Sequence, residues 1–298
     1  MSYILDDLQE MGIHEIVFVI GYLGDVVKEY MAKEYPDIRP EYVVQEVPDG
    51  TAGAVKLSEP FVDDEVLILF VDTLFDADLS MAKSLAPEWS GVIWAKEVED
   101  YQRFGVIVTD SDSAMTRIVE KPDDPISKLA NIGLYYIRDH ELLFQGVDEA
   151  LGNPPGPSGE FYLTDAFQYM VDHGSRILTA PVEGWYDCGK PETLLETNEH
   201  LLRTTRGWVS DKALVDSTVL GDAVRVEDGV VLEGSILGSN VTIEEGARVV
   251  NSSIRNCIIG PGALIENSVL HDSLIGGHSS IRSFDGKLSV SDHALVRG

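Results

Sequence analysis

Leu237-Gly238-Ser239-Asn240-Val241-Thr242-Ile243 and Ile259-Gly260-Pro261-Gly262-Ala263-Leu264-Ile265 are built alike. An aliphatic residue returns after six positions, and the residues between are mostly small or polar. The same spacing links Leu220, Val226 and Leu232, continues from Ile243 to Val249, and returns at Ile275 and Ile281. Such a hexad marks a β-helix, in which each hexad forms one flat face of a triangular coil. The aliphatic residue points inward and small residues turn the corners. Spacings of five or less interrupt the run and are expected to be corner adjustments. A sandwich of ordinary short strands is the competing arrangement, and the recurrence of one period favours the β-helix.

N-terminal to about Arg206 the pattern is different. Ile4, Leu5, Leu8 and Met11 fall on one face of a helix that Gly12 can end. Ile16-Val17-Phe18-Val19-Ile20 is a continuous apolar run, as in a strand covered on both faces. A helix is predicted from about Gly24 to Tyr35, a strand near Tyr42–Gln45, and a short helix after Thr51. The most apolar strand is Val66–Val71. Further strands are predicted at Gly91–Lys96, Phe104–Thr109 and Ile132–Ile137, with helices at Tyr162–Asp172 and Pro191–Thr204. Alternating strands and helices predict an α/β domain with a doubly wound, mostly parallel sheet. The expected division is residues 1–206 for this domain and 207–298 for the left-handed β-helix of hexapeptide repeats.

Charge narrows the partners. The chain of 298 residues carries 51 acidic and 22 basic side chains, a formal charge of -29. That balance disfavours nucleic acid and anionic membrane surfaces. Any phosphate must meet local Lys or Arg, or a cation. No stretch approaches the ~20 apolar residues of a membrane span, and the start, MSYILDDLQ, lacks a basic segment followed by an apolar run. A soluble, cytoplasmic protein is expected. Cys188 and Cys257 form no metal or redox motif.

Four segments have residues suited to chemistry, each with a plainer alternative. Gln45-Glu46-Val47-Pro48-Asp49-Gly50-Thr51-Ala52-Gly53-Ala54 joins a strand to a helix. Its small residues admit a flat ligand, and Gln45 offers donor and acceptor to a nucleobase edge. The alternative is a turn capped by Thr51. Asp72, beyond the strand Val66–Val71, sits where open α/β sheets bind ligands and could hold a cation or cap a turn. In Glu120-Lys121-Pro122, Lys suits a phosphate and Glu a sugar hydroxyl, or the two form a solvated ion pair. Asp187, in Trp185-Tyr186-Asp187-Cys188-Gly189, could share a cation with Asp72 or cap the helix that follows.

In this order the segments resemble the sugar-1-phosphate nucleotidyltransferases, the enzymes that make nucleotide sugars. The resemblance spans nearly the whole chain. It takes in Ser2–Gly12 as the family's first long helix, Gln45 with Gly50-Thr51-Ala52, Asp72, Gly105, Glu120-Lys121-Pro122, Asn131 with Gly133, Gly159-Glu160, Thr164-Asp165 and the segment around Asp187. Many members carry a C-terminal left-handed β-helix. The resemblance implies that Gln45, Gly50 and Thr51 lie at the nucleotide. It implies that Gly105, Glu120 and Asn131 contact the sugar and Lys121 its phosphate. Asp72 and Asp187 would hold Mg²⁺, which also answers how so acidic a chain handles two polyanions. The implied substrates are a nucleoside triphosphate and a sugar 1-phosphate, and side-by-side packing of the β-helix implies a homo-oligomer.

The sequence departs from the family in one large respect. The Gly-rich loop with Arg that holds the triphosphate should precede the first helix, and Met1 falls where that helix begins. Loss of the first strand, expected inside the sheet, would leave two neighbours with unpaired edges. A fragment of a longer product, or a misplaced start, is the expectation. Val71 also replaces the Gly that usually precedes the Asp. Two other functions are to be weighed. One is a catalytically inactive nucleotide-sugar-binding regulatory or assembly subunit. The other is an acyltransferase using His271 or His278, which are otherwise turn or surface residues.

Overall fold

The computed structural model describes residues 1–298, which form two compact units, Met1–Trp185 and Tyr186–Gly298. The helices are α1 Ser2–Glu10, α2 Gly24–Glu34, α3 Thr51–Ser58, α4 Ser80–Ser84, α5 His140–Gly152, α6 Leu163–Asp172 and α7 Pro191–Thr205. The strands up to α7 are β1 Glu15–Ile20, β2 Arg39–Val44, β3 Val66–Leu69, β4 Thr73–Asp76, β5 Gly91–Glu97, β6 Gly105–Thr109, β7 Met115–Glu120, β8 Leu129–Ile137, β9 Ile177–Pro181 and β10 Gly184–Asp187.

The main sheet of the first unit runs β7-β6-β8-β5-β9, with β3 also paired to β8. β5 and β9 are parallel, and β3 and β5 both run antiparallel to β8, so β3, β5 and β9 share one direction. β8 is the antiparallel strand among them, and the β6–β7 hairpin extends the sheet. β1 and β2 form a separate parallel pair. Helices cover both faces, as the alternation predicts. Ile93, Ile107, Ile118 and Tyr135 pack against Val55, Leu143, Phe167 and Met170 of α3, α5 and α6. On the other face Val92, Trp94, Leu134 and Tyr136 pack with Ala82 of α4, Leu85 and Ala180.

β1 is paired only to β2, and β3 only to β8, although both are apolar strands. Leu5, Phe18, Ile20, Met31 and Tyr35 form a core of their own around the β1–β2 pair. The longest helix overlooked in the sequence is α5. Its start is signalled by Asp139, whose carboxylate accepts from the Leu142 N–H at 2.9 Å.

The second unit is a parallel β-solenoid of about five coils, consistent with the left-handed β-helix that the hexads predict. The hexad residues are its interior. Leu232, Val249, Ile265 and Ile281 are stacked in register on successive coils, each 0% exposed. Val226, Ile243, Ile259 and Ile275 make a second column, and Leu237, Ile254 and Leu270 a third. The five-residue spacings Leu232–Leu237, Val249–Ile254 and Ile265–Leu270 map to one corner. There Gly234, Asn251 and Asn267 have φ of 55, 47 and 49°, the left-handed region that Gly and Asn tolerate best. The next residues, Ser235, Ser252 and Ser268, are buried in a ladder. Ser252 N–H donates to Ser235 Oγ at 3.1 Å, Ser268 N–H to Ser252 Oγ at 3.0 Å, and Phe284 N–H to Ser268 Oγ at 3.1 Å. Each hydroxyl thus pairs an amide that the corner takes out of the sheet.

The packing divides the chain before α7, not after it. Asn198 of α7 accepts from Thr242 Oγ1 at 2.6 Å through its side-chain oxygen, and Leu195 and Leu202 are buried. α7 therefore packs with the solenoid, although the repeats themselves begin only after it.

Ile265→Ala should lower unfolding free energy by about 2–5 kcal/mol, since its column cannot close over the void. Leu295→Ala, at an 83% exposed position, should change it by less than about 0.5 kcal/mol. Denaturant melts of both variants test this. Raising NaCl from 0.1 to 1 M shortens the Debye length from about 10 to about 3 Å. Relief of self-repulsion among 51 acidic groups should therefore raise Tm, as calorimetry will read.

Candidate active site

The site residues of the first unit lie at the carboxyl ends of β2 and β3 and along the β6–β7–β8 edge. Gln45 directly follows β2, and its backbone N–H donates to Ile20 O at 2.8 Å. Its side-chain Nε2 donates to Asp49 Oδ1 at 2.8 Å and to Gly50 O at 3.1 Å. Gly50 caps α3 with φ 117°, and an added Cβ would lie 2.4 Å from Phe161 O. Only Gly allows that approach. Thr51 is not the cap; its hydroxyl accepts the Leu163 N–H at 2.9 Å.

That contact belongs to a seam. Phe161 N–H donates to Asp49 O at 2.7 Å, and Ala52 N–H donates to Phe161 O at 3.0 Å. The seam places the start of α6, with Thr164, over the second group of residues. Thr164 Oγ1 donates to Glu120 Oε2 at 3.3 Å. Gly105 faces Glu120 across the β6–β7 pair, and an added Cβ would lie 2.3 Å from Asn131 Nδ2 and 2.8 Å from Glu120 Oε2. Gly105, Glu120, Asn131 and Thr164 therefore converge on one small space.

Asn131 is fixed by a bulge. The β5–β8 register shifts between Ile93 and Ala95, and Gly133 there has φ 77°. Asn131 Oδ1 accepts from Gly133 N–H at 3.3 Å and from the Tyr135 hydroxyl, and Nδ2 donates to Gly105 O at 3.3 Å. Its oxygen is thus occupied, and one amide hydrogen remains for a ligand. Lys121 directly follows β7 with φ 43°, in the left-handed region. Its Nζ stands 5.3 Å from the centre of the Tyr162 ring and 3.9 Å from Glu120 Oε1. Burial pushes the Glu120 carboxyl above its ordinary range, although Lys121 and the Thr164 hydroxyl pull the other way. Burial raises Asp165 as well.

Asp72 lies in the turn after β3, exposed, and takes no hydrogen bond from the protein. Phe70, two residues earlier, donates its N–H to Gly133 O at 3.0 Å, which brings this strand end to the Asn131 bulge. Asp187 belongs to the second unit, where its Oδ1 accepts the Gly189 N–H at 2.8 Å. No group of three or more His, Cys, Asp and Glu side chains gathers anywhere. Mg²⁺ does not need one, since it is commonly held by one or two carboxylates together with substrate phosphates and water. An exposed, unengaged carboxylate at Asp72 fits that donor set.

In the solenoid, His271 Nδ1 lies 2.8 Å from Asp272 Oδ2, and His278 stacks on His293 with ring centres 5.3 Å apart. Two contributors were not singled out in the sequence. Asp49 carries no role until Gln45 is seen to bond to it. Tyr135 reads as core, which it also is, 2% exposed. No helix is long and apolar enough to cross a membrane.

The nucleotidyl transferase family model matches residues 1–204, and the chain belongs to that family. It is 32% identical over 229 residues to the low-salt glycan biosynthesis nucleotidyltransferase Agl11 of Haloferax volcanii, covering 74% of this chain and 63% of that one. It is 25% identical over 210 residues to the UTP–glucose-1-phosphate uridylyltransferase AglF of the same organism, covering 69% and 84%. The bifunctional protein GlmU of Methanocaldococcus jannaschii is 26% identical over 232 residues, 78% of this chain and 53% of that protein. The chain thus spans between about half and five-sixths of these relatives. The crystal structure of a UDP-glucose pyrophosphorylase complexed with UDP-glucose has the same fold, with a TM-score of 0.60 at 21% identity over 68% of this chain and 86% of that one.

Because burial favours the neutral acid, the folded chain holds the Glu120 proton more tightly than the unfolded chain, whose pKa is near 4.5. Stability from this group is therefore greatest in acid and falls as pH rises above that value. Glu120→Gln should raise Tm relative to wild type at pH 7, with the gain shrinking toward pH 4. A pH series of melts on both proteins checks the sign.

Proposed function

We propose that this chain is a sugar-1-phosphate nucleotidyltransferase, which joins a sugar 1-phosphate to a nucleoside triphosphate and releases pyrophosphate. One observation carries the reading. The hydrogen-bonded seam from Asp49–Ala52 to Phe161–Leu163 ties the Gln45–Thr51 segment to the start of α6, where Thr164 meets Glu120 beside Gly105 and Asn131. A nucleotide sugar has those two ends.

In this reading the base meets Gln45, Gly50 and Thr51. The sugar lies over Gly105, with Asn131 donating to a hydroxyl and Glu120 exchanging a hydrogen bond with another. Lys121, half-exposed on the Tyr162 ring, meets the sugar phosphate as a point charge. A phosphate oxygen of the sugar attacks the α-phosphorus in line, and pyrophosphate leaves from the opposite side. Such a step needs positioning and charge neutralisation more than covalent chemistry. Asp72 is the carboxylate we assign to Mg²⁺, which would neutralise phosphate charge when bound. Pairing of copies through the solenoid is supported by an outward column of Val219, Ile236, Ser253 and Val269, whose three apolar members are 62%, 54% and 45% exposed. No feature of the structure favours the inactive-subunit or acyltransferase alternatives.

A thermal-shift panel of nucleotide sugars with Mg²⁺ tests the reading, since a ligand bound only by the folded state raises Tm. At least one nucleotide sugar should raise it, and Lys121→Met should lose most of that shift. Absence of any shift with the whole panel would sink the reading.

A further inference from the structure

We propose that Asp49 decides which nucleobases this site admits, by holding the Gln45 amide so that only its oxygen faces the ligand. The inference rests on the reading above, in which Gln45 and Gly50 meet the base.

A free glutamine amide is ambiguous, because it donates through nitrogen and accepts through oxygen and can turn over to suit either partner. Here the ambiguity is removed. Gln45 Nε2 lies 2.8 Å from Asp49 Oδ1 and 3.1 Å from Gly50 O. A carboxylate and a carbonyl only accept, so both contacts require the nitrogen, and both amide hydrogens are spent inside the protein. Oε1 takes no donor from the protein and is not among its buried unpartnered atoms, so it is open to a ligand. The Gly50 N–H likewise has no partner in the protein. The platform thus offers one acceptor and one backbone donor.

The position of Asp49 is itself specified. An added Cβ on Gly53 would lie 2.1 Å from Asp49 Oδ1 and 2.6 Å from its Cγ, so the missing side chain of Gly53 makes room for the carboxylate. Gly53 is buried in α3 with no left-handed φ, so its backbone gives no reason for glycine there. Asp49 also accepts the Phe161 N–H through its carbonyl, which anchors its backbone to the seam. Gly53, Asp49 and Gln45 form a relay in which room at one residue fixes the hydrogen-bonding sense of another.

An acceptor beside a donor matches a base whose edge carries a ring N–H next to a carbonyl: uracil, thymine or guanine. Seated in that same register, cytosine and adenine place an unprotonated ring nitrogen against Gln45 Oε1, lone pair to lone pair. A site built on a fixed polar group rejects the ligand that leaves it unpaired. Asp49 is a positioning residue in this scheme, since it acts through Gln45.

The test is calorimetric titration with UDP-glucose and CDP-glucose, which differ only in the base. Wild type should favour UDP-glucose by at least about tenfold. Asp49→Ala removes the closer, charged one of the two acceptors that hold Nε2 and leaves only Gly50 O at 3.1 Å, so the Gln45 amide can turn and the ratio of the two Kd values should fall toward one. Asp49→Asn keeps an oxygen acceptor and should retain the preference. Gly53→Ala, which favours helix but evicts the carboxylate, should lower the ratio as Asp49→Ala does, and it serves if Asp49→Ala does not fold. A merely structural Asp49 would weaken both ligands together with the ratio unchanged, and that result overturns the proposal. So does a wild type that binds both equally, while the functional reading stands. If wild type binds neither of these, nor dTDP-glucose or GDP-glucose, the functional reading falls and this inference with it.

Discussion

The candidate site depends on a short backbone seam, in which Asp49–Ala52 and Phe161–Leu163 exchange hydrogen bonds across more than a hundred residues of chain. The seam is possible only because Gly50 has no Cβ to strike the Phe161 backbone. It does two jobs at once. It orients the start of α3, which sets the platform around Gln45, and it brings Thr164 to Glu120 at the start of α6. Without it, the loop from Gln45 to Gly50 would lose its tie to the start of α6, and loops hold geometry poorly.

Electrostatics in this pocket work against the charge of the chain as a whole. With a formal charge of -29, phosphates are repelled at long range. Close to the pocket the balance changes. Burial favours the neutral form of Glu120, Lys121 contributes a cation at the rim, and Asn131 turns an amide hydrogen inward. The single exposed, unengaged carboxylate at the end of β3 is suited to a divalent ion and not to a phosphate. Local charge at the candidate site therefore opposes the charge of the chain as a whole.

The open edges of β1 and β3 carry a physical implication of their own. Both strands are apolar and both pair on one side only, so their other backbone edges go without sheet partners. The β1–β2 pair keeps its own small core with α1 and α2, which lets it form without joining the main sheet. The solenoid solves the same accounting differently, since each coil pairs with the next and the serine ladder serves the amides at the corner.

The sequence by itself determined the solenoid. Its interior columns are the hexad residues, because a fixed rise per coil and three faces leave no freedom in which residues point inward. It also determined the α/β character of the first unit and the positions of Gln45, Gly105, Glu120, Lys121 and Asn131 near strand ends, because apolar runs end where strands end. The tertiary structure alone decided the rest. Helix α7 packs with the solenoid, since its buried Leu195 and Leu202 and its Asn198–Thr242 bond depend on a partner that no local pattern names. β8 runs antiparallel among co-directional strands, a matter of long-range pairing that short-range periodicity does not record. Thr51 looked like a helix cap and serves instead as an acceptor for the distant Leu163 N–H. Most tellingly, the sense of the Gln45 amide is set by Asp49, whose place is set by the missing side chain of Gly53. A hydrogen-bonding role of that kind depends on three-dimensional contact, and residue type and spacing do not encode it.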